Sequence, residues 1–227
     1  NATLAIEAAV QIKTSKATRD RRVCLLDLDL QTSHVCDSLD IEPRLQMREI
    51  VDNSERLDAQ LFDLYLSRHA TTGVDVLAVP RNREMPVSVN IAALDALFRM
   101  ISERYDLVVI DLPPTWSEWT GQIISICDLA VVTGLNNVPG LRQVAETLKS
   151  VRSAARLPSQ VVVALNRCEA RLIGGVARRQ YVNRVLGHEK VFYVREDAVS
   201  ANHSLNTGVP IAIGNPSSRI VRDIRPL

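Results

Sequence analysis

Residues 105–114 read Tyr105-Asp106-Leu107-Val108-Val109-Ile110-Asp111-Leu112-Pro113-Pro114. An unbroken apolar run, rich in β-branched residues and closed by an acid and two prolines, marks a strand covered on both faces, in practice a parallel strand between helical layers. Five more runs share this character: Val23 to Leu28, Val74 to Val79, Leu129 to Thr133, Val161 to Leu165 and Val191 to Val194. Between them the period changes to that of a helix, as in Leu94, Leu97, Phe98 and Ile101, or Leu141, Val144, Ala145 and Leu148. Pro139 stands where the second helix would begin and Pro158 just beyond its end. Strand and helix in alternation predict an α/β fold, a doubly wound and mainly parallel sheet flanked by helices with right-handed crossovers.

Outward from these runs the signals weaken. Thr3 to Ile12 is apolar almost all round, which predicts a buried helix; with no strand before it, the chain as given is expected to start inside a βαβ unit. Asp40 to Gly73 is more polar and predicts short helices, including Leu57 to Leu66. Nothing between Asp20 and Arg219 has linker composition, so residues 1–227 are expected to form one domain.

The 227 residues are 46% hydrophobic and 23% charged, which excludes disordered and fibrous classes. A formal charge of +1 leaves no global field to attract nucleic acid or an anionic membrane. The four cysteines are scattered without a C-x-x-C pair, and His34 with Cys36 has no second ligand pair nearby, so neither a redox nor a zinc site is expected. No apolar run reaches the ~20 residues that span a bilayer and no leader pattern opens the chain, so the expected location is cytoplasmic.

Ligands bind beyond the carboxyl ends of the strands in a parallel sheet. Polar residues expected there are Asp27, Asp29, Asp111, Thr133 and Asn166. A carboxylate after a buried strand is costly to keep charged without a cation or donors, and a hydrated magnesium ion on a phosphate would satisfy it. Capping of the next helix is the alternative for each acid alone.

Tyr105 to Pro114 resembles the Walker B strand of the ParA/MinD family of deviant Walker A P-loop ATPases. Leu26-Asp27-Leu28-Asp29-Leu30-Gln31 is similar to that family's D-x-D segment, Leu165-Asn166-Arg167 to its adenine-contacting Asn motif, and Asn206-Thr207-Gly208-Val209-Pro210 to its N-x-G-x-P. Four motifs in this order form a specific pattern. The opening Asn1-Ala2-Thr3-Leu4-Ala5 and the Arg-rich middle look most like the CpaE/TadZ branch, the pilus-assembly ATPases of type IV Flp/Tad systems.

The resemblance implies ATP or ADP with Mg2+ as cofactors and a homodimer that closes on nucleotide. It implies that Thr3 and the helix N-terminus hold phosphate, that Asp29 orients the attacking water beside the metal, that Asp111 holds a metal-bound water, and that Asn166 recognises adenine with Arg167 either flanking the base or facing solvent. Asn1 falls where many members have the phosphate-binding Lys, and Ala2 where they have the metal-ligating Ser or Thr. These two departures weaken the phosphate and metal sites. Relatives carry a Gly-rich loop just before this helix, and CpaE-like ones often a receiver-like domain upstream.

Two function classes follow: a nucleotide-dependent switch in assembly or polar localisation of a pilus secretion machine, and a scaffold that has lost its chemistry. The segment 167–190 carries Arg167, Arg171, Arg178, Arg179, Arg184 and Lys190 against Glu169 and Glu189; it fits DNA, as in partitioning relatives, or simply a solvated helical face. Ile220, Val221, Ile224 and Leu227 interleave with arginines, faintly like the membrane helix of MinD, but Pro226 interrupts them and a frayed end or a cut tail is expected. Trp116 and Trp119 fit core packing or a partner surface. An iron-sulfur relative of the nitrogenase iron protein lacks obvious cluster ligands.

Overall fold

The computed structural model describes residues 2–46, 58–80, 91–156, 160–169, 179–187 and 189–227. The chain divides into two compact units, Asn1–Thr115 with Val199–Pro216, and Trp116–Ala198 with Ser217–Leu227.

The first unit holds α1 (Ala2–Thr14), β1 (Val23–Asp27), α2 (Val35–Leu39), α3 (Ala59–Tyr65), β2 (Ser67–Arg68), β3 (Asp75–Ala78), α4 (Ile91–Arg104) and β4 (Leu107–Asp111), and all but the first residue of α8 (Ala198–Thr207), then α9 (Ile211–Gly214). Its sheet has the order β2-β3-β1-β4. β1 runs parallel to both β3 and β4, in a register that sets Asp27 opposite Ala78 on one side and Asp111 on the other. β1 is buried throughout, as an unbroken apolar run requires. The two-residue antiparallel edge β2 gave no sequence signal.

The second unit holds α5 (Glu118–Ile126), β5 (Ala130–Leu135), α6 (Val138–Ala154), β6 (Val161–Cys168), α7 (Arg179–Leu186), β7 (Val191–Arg195) and α10 (Arg219–Ile224). Its three strands are all parallel, in the order β5-β6-β7. The α/β architecture of mainly parallel strands flanked by helices is therefore the one observed. Asn137 caps α6 by accepting the Gly140 amide at 2.8 Å, and Pro139 sits in the first turn as expected. Pro158 lies outside the described residues.

Three expectations are corrected. Thr133 does not end its strand: Gly134 and Leu135 continue the β5 ladder opposite Leu165 and Asn166. Gly134 permits this, because a Cβ there would collide with the Val144 side chain of α6. α1 is not buried all round; Ile6, Glu7, Ala9 and Val10 are buried and the rest of its opening turns half-exposed. The C-terminal segment is not frayed, since Ile220, Val221 and Ile224 are buried in α10, which packs on β7. Asp223 of that helix accepts from both the Arg195 guanidinium and its amide, at 2.6 to 2.9 Å. Among the two tryptophans, Trp119 is buried and Trp116 exposed.

α2 stops at Asp40, whose φ of 50° is left-handed. Gly208 faces it with φ of +67°, and a Cβ there would strike the Asp40 Cβ and come within 3.1 Å of its amide. The buried His69 is hydrogen-bonded to the Gly208 backbone and, at 2.8 Å, to the Thr72 hydroxyl, and burial holds its pKa down. The Asn206–Pro210 motif is thus packed by contacts on backbone, which explains why glycine is needed there.

Candidate functional site

Asp27 ends β1 almost fully buried and organises the turn that follows. Its carboxylate accepts the Asp29 amide at 3.0 Å and the Ser33 hydroxyl, and Ser33 Oγ in turn accepts the Val35 amide at 3.1 Å, where α2 begins. Leu28 donates its amide to the Asp111 carbonyl at 2.9 Å, tying the turn to the end of β4. Asp27 therefore acts as a buried turn organiser, with both oxygens occupied.

Asp29 is half-buried and its carboxylate is held from one side. Oδ1 accepts the Thr32 amide at 2.9 Å, with a longer contact from Gln31 at 3.4 Å, and Oδ2 accepts the Thr32 hydroxyl at 2.6 Å. Asp29 and Asp111 line one cleft of about 640 Å3. Ala2 and Thr3 in the first turn of α1 and Leu205 of α8 also line it. The cleft lies wholly in the first unit.

Asn1 lies outside the described residues. Asn166 and Arg167 belong to the second unit, at the end of β6. There Asn166 Oδ1 accepts the Arg167 amide at 2.7 Å, and Arg167 takes a left-handed φ of 52° where the pairing of β6 with β7 becomes irregular. Arg171 and Arg178 of the basic segment are also outside the described residues.

Among the described residues no group of three or more His, Cys, Asp or Glu side chains is placed to hold a metal alone. Three carboxylates, Asp29, Asp37 and Asp111, line this roomy cleft, which suits Mg2+, an ion that keeps several waters and takes one or two protein carboxylates beside substrate phosphates. The donor set fits that ion as a companion of a phosphate and not as an independent protein-bound centre.

Burial pushes the Asp27 carboxyl up to about 7, and burial with repulsion from Asp29 pushes that of Asp111 up to about 6. Both keep a proton when folded at pH values where an unfolded Asp, with a pKa of about 3.9, has lost it. The stability they supply is complete below about pH 4 and disappears as pH rises through about 6 and 7. Asp106, held down to about 2 by Arg22, titrates below this window. The ligand-free protein is expected to lose stability between about pH 4 and 7.5, by several kcal/mol from these two acids, at roughly 1.4 kcal/mol for each pH unit between folded and unfolded pKa. His69, whose burial-lowered pKa acts in the opposite sense, offsets part of this. Thermal midpoints across a pH series would measure this, and a midpoint that climbs over the interval contradicts the placement of these two acids.

The sequence did not reveal Glu7. It is 1% exposed on α1 and accepts the amides of Ile211 at 2.6 Å and Ala212 at 2.9 Å, capping α9. An acid inside an apolar helical stretch was the only available sign, and its partners are 204 and 205 residues away. Burial raises its pKa, opposed by those two bonds.

No family model matches the sequence, and no curated protein is significantly similar to it. Solved structures do match. A ParA family ATPase from Chlorobium tepidum superposes with a TM-score of 0.82 at 17% identity, over 98% of this chain and 89% of that one. The septum site-determining protein MinD of Pyrococcus horikoshii, complexed with Mg-ADP, gives 0.76 at 16% identity, over 98% and 86%. An ATP complex of a Cyanothece McdA variant gives 0.72 at 16% identity, over 99% and 90%. The chain has the fold of the ParA and MinD ATPases.

Proposed function

We propose that this chain is an ATP-binding switch of ParA/MinD type, with residues 1–227 as its nucleotide-binding domain and a homodimer as its working form. The observation that carries it is the convergence of Asp29, Asp111 and the first turn of α1 on one cleft, in a fold whose solved examples include a Mg-ADP and an ATP complex. The matches span 98 to 99% of the chain, which supports treating it as one functional domain.

In this reading phosphate lies at the α1 N-terminus against Thr3, where unpaired backbone amides and the helix dipole favour anions. Mg2+, when bound, neutralises phosphate charge; Asp111 and Asp29 would hold it, with waters completing its shell. Asp29 orients the attacking water. Asn166 contacts adenine, and Arg167 flanks the base or faces solvent. Asn1 contributes no cationic side chain and Ala2 no hydroxyl, so nucleotide affinity rests on backbone and metal.

The finer role we assign is assembly or polar localisation of a type IV Flp/Tad pilus secretion machine, as in the CpaE/TadZ branch, from the cytoplasmic side. It rests on the sequence resemblance. No described helix is long and apolar enough to cross a membrane. A scaffold that keeps the fold without the chemistry is the alternative. DNA partitioning gains one observation: Arg179 lies 5.3 Å over the Tyr193 ring and Lys190 5.0 Å over Phe192, cation-aromatic pairs in the basic segment.

Equilibrium binding of labelled ATP, with and without Mg2+, together with sedimentation, tests the proposal. Magnesium-dependent binding with dimer formation is the expected outcome. No binding at millimolar nucleotide selects the scaffold, and a salt-sensitive shift of duplex DNA adds the partitioning role.

A further inference from the structure

We infer that Thr32 supplies the nucleotide's divalent ion with the hydroxyl oxygen that Ala2 cannot, acting as one unit with Asp29. This rests on the nucleotide reading of the cleft. Ala2 and Thr32 line the same cleft, and Thr32 is exposed to it. Ala2 presents a methyl group. Thr32 presents a hydroxyl whose proton is already committed, because it donates to Asp29 Oδ2 at 2.6 Å. A hydroxyl donating to a carboxylate forms a short, charge-assisted bond that leaves its oxygen lone pairs unspent and more electron-rich. Those lone pairs are what a hard, oxygen-seeking cation takes up.

The amide of the same residue holds Asp29 Oδ1 at 2.9 Å, so carboxylate and hydroxyl keep a fixed mutual orientation. The loop is itself anchored from below. Asp27 is fastened to the Asp29 amide and the Ser33 hydroxyl, one residue either side of the Leu30–Thr32 span. A hydroxyl held this firmly loses little conformational freedom on meeting a metal, which is how supporting contacts tune a ligand set.

A turn-closing threonine with no metal role would show the same hydrogen bonds, so the test reads metal preference. Fluorescent ADP is bound to the purified protein in EDTA, then titrated with Mg2+ and separately with Cd2+. Thr32→Val is expected to leave affinity in EDTA within about twofold and to raise the Mg2+ needed for half-maximal tightening about tenfold, whereas Thr32→Ser restores it. Thr32→Cys is expected to shift the preference toward Cd2+ by about tenfold, because thiolate suits the softer ion.

An unchanged Mg2+ requirement in the valine variant overturns the inference, as does an unchanged Cd2+ to Mg2+ ratio in the cysteine variant. If the valine variant fails to fold, the serine and cysteine pair decides. Wild-type protein that binds ADP under none of these conditions removes the nucleotide reading, and this inference with it.

Discussion

ATP turnover by the Asp29→Ala protein is expected to fall at least about a hundredfold while its affinity for Mg-ATP changes only a few-fold. The asymmetry follows from how Asp29 is held. Both oxygens are oriented by Thr32 before any ligand arrives, so the carboxylate meets an attacking water without reorganising. In the proposed site, positioning of that kind acts on the transition state, whereas at saturating Mg2+ the phosphate contacts at α1, with Asp111 and the metal's waters, would keep most of the ground-state binding without Asp29. Phosphate-release kinetics alongside equilibrium binding separate the two. Hydrolysis that survives undiminished takes Asp29 out of the mechanism, and a proportionate loss of binding would make it principally a metal ligand.

The second large effect is on stability. Glu7→Leu leaves the Ile211 and Ala212 amides without their acceptor, in a place where Ile211 is 1% exposed. A buried donor left unpaired costs about 1–3 kcal/mol, and the gain from no longer burying a carboxyl offsets part of the total. We expect a net loss of about 3 kcal/mol, measured by urea unfolding. Glu7→Gln keeps one acceptor but turns a donor toward the other amide, so it should fall between. A Glu7→Leu protein as stable as wild type would show that these bonds contribute nothing net.

The strands were legible because their apolar runs are local facts, and each run expected as a strand forms one. The same holds for α6, whose cap and proline lie within its own first turn. Asp29 and Asp111 were legible as strand-end acids, since the register of β1 with β4 brings their segments together. Thr133 misled because Gly134 reads as a turn signal, yet here it serves close packing of strand on helix. Glu7, the pairing of Asp40 with Gly208, and β2 were illegible for one reason: each depends on a partner distant in sequence or on an element too short to show a period.

The first unit is discontinuous, and its α1 is fastened by Glu7 to residues 211 and 212. On the ribosome, β1 emerges long before the stretch that completes its own unit. At ~5–20 residues per second the gap is roughly 10–40 s. During that interval the half-made cleft lacks Leu205 from its lining, and the carboxyl of Glu7 lacks the amides it accepts in the folded unit. A nascent chain must therefore leave this unit unclosed until residues 199–216 have been translated, with β1, the strand of its sheet that is buried along its whole length when folded, still uncovered.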